Sequence, residues 1–166
     1  TCNGDANGSV SVTGSGGTVA GDYTYLWNNG QTTATATNLA PGTYTVTVKD
    51  DNNCSSSAGP VSITEPAILT ATATKVQDVQ CNGAADGSIS VSASGGTPNY
   101  TYLWDDGSGQ TTTTATNLAP GNYTVTVTDG NGCTFTTPAV TITEPTALTA
   151  TATKVQDVQC NGAADG

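Results

Sequence analysis

Nineteen residues, LTATATKVQDVQCNGAADG, occupy Leu69–Gly87 and recur letter for letter at Leu148–Gly166. The offset is 79 residues, and it organises the rest of the chain. Cys2, Cys81 and Cys160 share one register, and Cys54 and Cys133 another; NLAPG recurs at Asn38 and Asn117, ITEP at Ile63 and Ile142. Two length differences cancel, since GGTVAGDYTYLW is two residues longer than GGTPNYTYLW while WDDGSGQTT is two longer than WNNGQTT. Both fall in Gly/Asn/Asp-rich loops, where insertions cost little. A fixed long period means that each repeat is one supersecondary unit and that neighbours stack alike. Unit boundaries are expected at the Glu-Pro pairs: 1–66 without its first part, 67–145 complete, and 146–166 as the first part of a third unit. The chain has no Met and is expected to be a window on a longer tandem array.

Within the 67–145 unit the hydrophobic period is 2. LTATATKV, SISVSAS, YTYLW, TTTTATNL, NYTVTVTD and AVTITEP read as short strands. Ile89, Val91 and Ala93 alternate onto one face, as do Tyr123, Val125 and Val127, with Thr124, Thr126 and Thr128 opposite. That is an apolar inner row under a Thr-coated exterior. Asn29-Gly30 suits a tight hairpin turn, and Pro41-Gly42 and Pro120-Gly121 suit positions i+1 and i+2 of a type II turn. Short strands at regular spacing with no helical period predict an all-β chain of tandem immunoglobulin-like antiparallel β-sandwiches. Trp104, Tyr102, Tyr123, Phe135 and either Leu103 or Leu118 are the predicted core; Trp27, Tyr25 and Tyr44 serve one unit earlier.

Thirteen acidic residues against three Lys and no Arg give a net charge of -10. Such a surface repels nucleic acid and anionic membranes, which bind through Lys and Arg. No apolar run approaches the ~20 residues of a membrane-spanning helix.

A core of some 80 residues is marginal and commonly stapled. The simplest pairing is within units, Cys2–Cys54 and Cys81–Cys133, leaving Cys160 to pair elsewhere. The rival, Cys54–Cys81 with Cys133–Cys160, would clamp neighbours together. Loop entropy does not choose, because closing about 53 or about 28 residues differs by only ~0.5 kcal/mol. Reduced thiols are the remaining alternative. No CxxC or His/Cys cluster offers zinc a site.

Asp/Asn/Gly clusters make Asp50, Asp51 and Asp129 the calcium candidates, with Glu65 and Glu144 able to contribute at the junctions, although none has the spacing of a twelve-residue calcium loop. Turn chemistry accounts for the same clusters without a ligand. Sequons at Asn7, Asn53, Asn99 and Asn122 do not recur 79 residues away and read as chance in a Thr-rich chain. The outward Thr rows do recur, which makes Thr32, Thr33, Thr35, Thr111, Thr112, Thr113 and Thr114 candidates for O-linked sugars beside their plain β-propensity.

Catalysis finds almost no material. There is no His and no Arg, and the carboxylate pair Asp105-Asp106 becomes Asn28-Asn29 in the other unit. No enzyme activity and no cofactor are expected.

The stretch CNGAADGSISVSASGGTPNYTYLWDDGSGQTTTTATNLAPGNYTVTVTDGNGC resembles the SprB-type repeat of Bacteroidetes surface proteins. Its marks are the CNG opening, GSISV, GGTPxYTYxW, LxPGxYTVTVxD and the closing NGC; the first unit departs at GGTVAGDYTY and DDNNC. The resemblance implies long secreted adhesins of gliding or filament-bearing bacteria, typically exported by a type IX route and built from Ig-like or PKD-like tandem domains. It carries over no catalytic or cofactor-binding residue. The expected function is therefore a structural repeat of an extracellular bacterial surface fibre or adhesin. Units of the same or identical chains would pack end to end into a semi-rigid rod, with glycans as possible covalent partners. The alternative is an adhesive module that binds glycans or surfaces through loops such as 105–110. LTATATKV, invariant between copies, is also expected to be able to pair with a neighbouring unit's sheet edge.

Overall fold

The computed structural model describes residues 1–19 and 21–157. Cys160 and the rest of the second CNGAADG stretch lie outside them. The described chain is all strand and loop. In the first unit β1 (Gly8–Ser11) pairs with β3 (Thr35–Leu39), and β2 (Thr24–Trp27), β4 (Gly42–Lys49) and β5 (Ser55–Ile63) form a second sheet in the order β2-β4-β5. In the second unit β6 (Thr70–Gln77), β7 (Gly87–Ser94) and β9 (Thr114–Leu118) form one sheet. Facing it, β8 (Thr101–Trp104), β11 (Val125–Thr128) and β12 (Thr134–Thr136) form another, extended by the pair β10 (Gly121–Tyr123) and β13 (Val140–Ile142).

The ladders repeat with the sequence. Gly8↔Leu39 and Val10↔Ala36 in the first unit become Gly87↔Leu118 and Ile89↔Ala115 in the second. Likewise Trp27↔Val46 becomes Trp104↔Val125, and Gly42↔Ile63 becomes Gly121↔Ile142. Among the described residues only the β6–β7 ladder lacks a counterpart, so β1 has β3 on one side and an open edge on the other.

Period 2 places the apolar row of each strand between the sheets. One core gathers Leu69, Ile89, Trp104, Leu118, Val125, Val127 and Ile142; the other gathers Trp27, Ala36, Leu39 and Val46. The open choice of leucine is settled for Leu118, which is buried, whereas Leu103 is 56% exposed. Each tryptophan ring nitrogen donates to a carbonyl in the segment returning from its own strand: Trp27 to Thr33 at 2.8 Å, Trp104 to Thr112 at 2.9 Å. Gly8 and Gly87 are required here, because a Cβ at either would lie 2.9 Å from the facing leucine carbonyl oxygen.

Two expected turns differ. Gly30 has φ 86, but Asn29 does not have positive φ, and Gly30 N–H donates to the Trp27 carbonyl at 2.9 Å. This is not the two-residue turn in which both central residues are left-handed. Pro-Gly does not build a type II turn either, since Gly42 stands at φ 158 and pairs directly with Ile63. The left-handed residues of that corner are Asn38 and Asn117, at φ 53 and 57. Each corner is closed by a tyrosine hydroxyl donating four residues back, Tyr44 to Ala40 and Tyr123 to Ala119. That arrangement belongs to immunoglobulin-like sandwiches.

Candidate functional site

The chemistry of this chain concentrates at the two poles of each unit, where the cysteines lie. The chain enters the second unit beside the β7–β8 and β11–β12 loops: Gly96 N–H donates to the Ala67 carbonyl at 2.8 Å, and Gly130 N–H to Thr97 at 3.0 Å. Cys133 therefore sits at the entry pole. The chain leaves beside the CNG loop that follows β6, where Asn82 Nδ2 donates to the Pro145 carbonyl at 3.1 Å and Gly83 N–H to a Glu144 carboxylate oxygen at 2.6 Å. Cys81 therefore sits at the exit pole. The exit pole of the first unit is built alike, with Asn3 on Pro66 at 2.9 Å and Gly4 on Glu65 at 2.5 Å.

This polarity corrects the expected pairing. An eight-residue strand spans about 26 Å, whereas bridged cysteines need Cα atoms within roughly 7 Å. Cys81 cannot reach Cys133 across its own sandwich, nor Cys2 reach Cys54. The disulfide joins Cys2, at the exit pole of the first unit, to Cys133, at the entry pole of the second, with Cα atoms 5.6 Å apart. Asn131 strengthens the seam, donating through Nδ2 to the Thr1 carbonyl at 2.9 Å and to Thr97 Oγ1 at 2.7 Å. Cys54 and Cys81, also expected in disulfides, are free and exposed at the outer poles. The rival Cys54–Cys81 bond is absent too; Cys133–Cys160 is precluded because Cys133 is already bonded.

The calcium candidates serve the backbone. Asp129, buried, accepts Asn131 and Cys133 N–H on Oδ1 at 2.9 and 2.8 Å, and Thr97 N–H on Oδ2 at 2.8 Å. Asp50 repeats this with Asn52, Cys54 and Thr18 at 3.0, 2.8 and 3.0 Å. Asp51 accepts from Gly21 N–H at 3.1 Å. Glu65 and Glu144 hold their own CNG loops. Among the described residues no three acidic, Cys or His side chains converge as a metal cage. Of the Thr candidates, Thr32, Thr33, Thr35, Thr111, Thr112 and Thr113 are exposed and Thr114 half-buried, while Thr33 and Thr112 donate locally to the Thr35 and Thr114 carbonyls, both at 2.6 Å.

The Thr97 amide and, at the other unit's pole, the Thr18 amide are foremost in holding the Asp129 and Asp50 carboxyls below their usual range, against a desolvation that opposes. A carboxyl with a lowered folded pKa adds stability that is full above the unfolded value, about 3.9, and is lost as pH falls through the folded one. Denaturant midpoints should therefore drop as pH falls below about 4. Asp129→Asn should lower the midpoint at pH 7 and flatten that acid slope; an unchanged slope would remove Asp129 from this role.

Two stretches, residues 1–32 and 73–109, match the SprB repeat family. In the shared register they are largely the same part of the repeat, from the CNG loop through β2 or β8, so the match recurs with the 79-residue period. Among curated proteins nothing matches the chain. Among solved structures it is similar to three N-terminal domains of the bacteriophage RB49 highly immunogenic outer capsid protein, at 21% identity over 82% of this chain and 54% of that one, with TM-score 0.48. It is also similar to a 282-residue C-terminal fragment of intimin in complex with the intimin-binding domain of its translocated receptor (18%, 74% and 51%, 0.40) and to the amphioxus IgVJ-C2 molecule (16%, 86% and 99%, 0.36). The chain spans about half the length of the first two.

Proposed function

We propose that this chain, two stretches of which match the SprB repeat, is a structural segment of an extracellular bacterial surface rod, in which Ig-like units pack end to end. The observation that supports it best is the covalent seam. Cys2 is bonded not to its own unit but to the next, Asn131 ties the second unit to Thr1, and the linker is held by Asn3 and Gly4 on one side and Gly96 on the other. A linker clamped on both sides resists bending, which a rod requires and a flexible tether does not. The same Asn82–Pro145 and Gly83–Glu144 clamps at the next exit pole prepare an equivalent seam. An acidic surface with exposed Thr rows suits a secreted, soluble fibre, and those rows are where O-linked sugars would be carried. The Bacteroidetes and gliding context belongs to this reading through the SprB repeat.

Small-angle scattering of the monomeric chain tests it. The expected profile is a single extended rod, each unit adding a few tens of ångströms. A broad distribution of interparticle vectors, as from two beads on a string, would overturn the rod.

A further inference from the structure

Each unit has one sheet edge that is completed by side chains instead of by another strand. β9 pairs with β7, and Val91 N–H donates to the Thr113 carbonyl at 2.9 Å; β3 pairs with β1, and Val12 N–H donates to the Ala34 carbonyl at 2.9 Å. Backbone groups alternate in direction along an antiparallel strand, so those of Thr114 and Thr116, and of Thr35 and Thr37, face away from the partner strand. Gln110 occupies that side. Its Oε1 accepts Thr116 N–H at 3.0 Å, and its Nε2 donates to the Thr116 carbonyl at 2.9 Å. Gln31 does the same for Thr37, at 3.0 and 2.9 Å. A carboxamide carries the donor and acceptor of a peptide group, so each glutamine stands where a residue of an added strand would stand. The neighbouring outward carbonyls, of Thr35 and Thr114, are taken by the Thr33 and Thr112 hydroxyls, both at 2.6 Å.

The glutamine keeps its place although the loop before it does not. WDDGSGQ in the second unit is two residues longer than WNNGQ in the first. Even so, the Gln31 and Gln110 carbonyls accept the Trp27 and Trp104 N–H at 2.9 and 3.0 Å, and Asn29 and Asp106 Oδ1 accept the two glutamine N–H groups at 3.2 and 3.1 Å. Asp106 also accepts from Gln110 Nε2, which fixes the orientation of the amide. Exposed edges are commonly protected by charge, Lys above all. TATNL, the sequence of both β3 and β9, has none, and the three Lys of the chain lie elsewhere. Thr-rich, uncharged strands pair readily with their own kind, and both units carry the same edge. We propose that Gln31 and Gln110 are edge caps, whose role is to keep this side of each unit closed to strand addition by a laterally neighbouring copy. Each cap acts within a single unit, so it stands apart from how units join end to end.

The test compares the 166-residue chain with its Gln31→Ala/Gln110→Ala variant in one buffer, by light scattering after size exclusion at rising concentration, with circular dichroism reporting the fold. Amide exchange at Thr37 and Thr116 should quicken about fivefold or more, as loss of one hydrogen bond allows. The average mass of the variant should rise at least about twofold above that of the natural chain, because two freed edges that pair make a dimer at the least. Adding Thr37→Lys and Thr116→Lys, at exposed positions on the same edges, should return the mass to the natural value. Gln110→Ala alone frees one edge and should stop at the dimer; it decides the matter where the double variant does not fold, and a monomer there would overturn the cap. So would a folded double variant that keeps the natural mass while its amides exchange faster, since the glutamines would then only brace their loops. Unchanged exchange at the two amides, or association that the lysines do not reverse, would overturn it as well.

Discussion

Serine at Cys133 will uncouple the two cores without dissolving either. The Cys2–Cys133 bond spans 131 residues of sequence, so on the chain-entropy account its loss destabilises the whole by up to about 5 kcal/mol. The bond lies at the margin of the second core, against which Cys133 packs, and what else holds the seam is exposed: one Asn131–Thr1 hydrogen bond of 2.9 Å is worth on the order of 1 kcal/mol. Scanning calorimetry of Cys133→Ser should therefore separate into two transitions, and scattering should show the units reorienting. Dithiothreitol should reproduce both changes in the natural chain and add nothing to the variant. One transition with an unaltered shape would mean that packing at the seam, not the bond, joins the units.

Trp104→Ala will cost the second unit about 3–5 kcal/mol, the range for removing a large buried aromatic. The side chain is 2% exposed, and Val125 pairs with it across the ladder. Its ring nitrogen also anchors Thr112, in the segment that carries the chain from one sheet to the other. Against a total of about 5–15 kcal/mol for an ordinary domain, that loss removes much of the margin. Trp27 becomes the sole reporter in this variant. Its emission in buffer should stay that of a buried indole while urea unfolds the second unit first, followed by circular dichroism. Simultaneous loss of both signals would show that the cores fold as one.

The strands were legible because alternation is a local property. Ile89, Val91, Tyr123, Val125 and Val127 fall where period 2 puts them, and the 79-residue offset carries each ladder from one unit to the next. The disulfide was not legible because it depends on strand direction. A strict up-and-down count from Cys81 through β7, β8, β9 and β11 returns Cys133 to the same pole. The structure breaks that count once. The antiparallel pairings make β8 and β9 run in the same direction, with residues 105–113 doubling back between the sheets. One such return moves Cys133 to the opposite pole and its partner into the neighbouring unit. The corner misread has a similar cause. Pro-Gly is a strong turn signal, but the Tyr44 and Tyr123 hydroxyls fix the corner from a distance, and Asn38 and Asn117 take the left-handed conformation instead.

The placement of Cys2 and Cys133 also sets what happens when this chain is pulled from its two ends. Tension applied along the chain enters at Thr1, crosses the sulfur bridge, and continues from Cys133 toward Asp157. The 131-residue span between the bridged positions lies outside that path, so all of the first sandwich and most of the second are spared extension even if their cores melt. At about 3.5 Å per residue, on the order of 450 Å of contour is held in reserve. Reduction of that single bond would put this contour back into the path of the load, to be paid out only as each core unfolds.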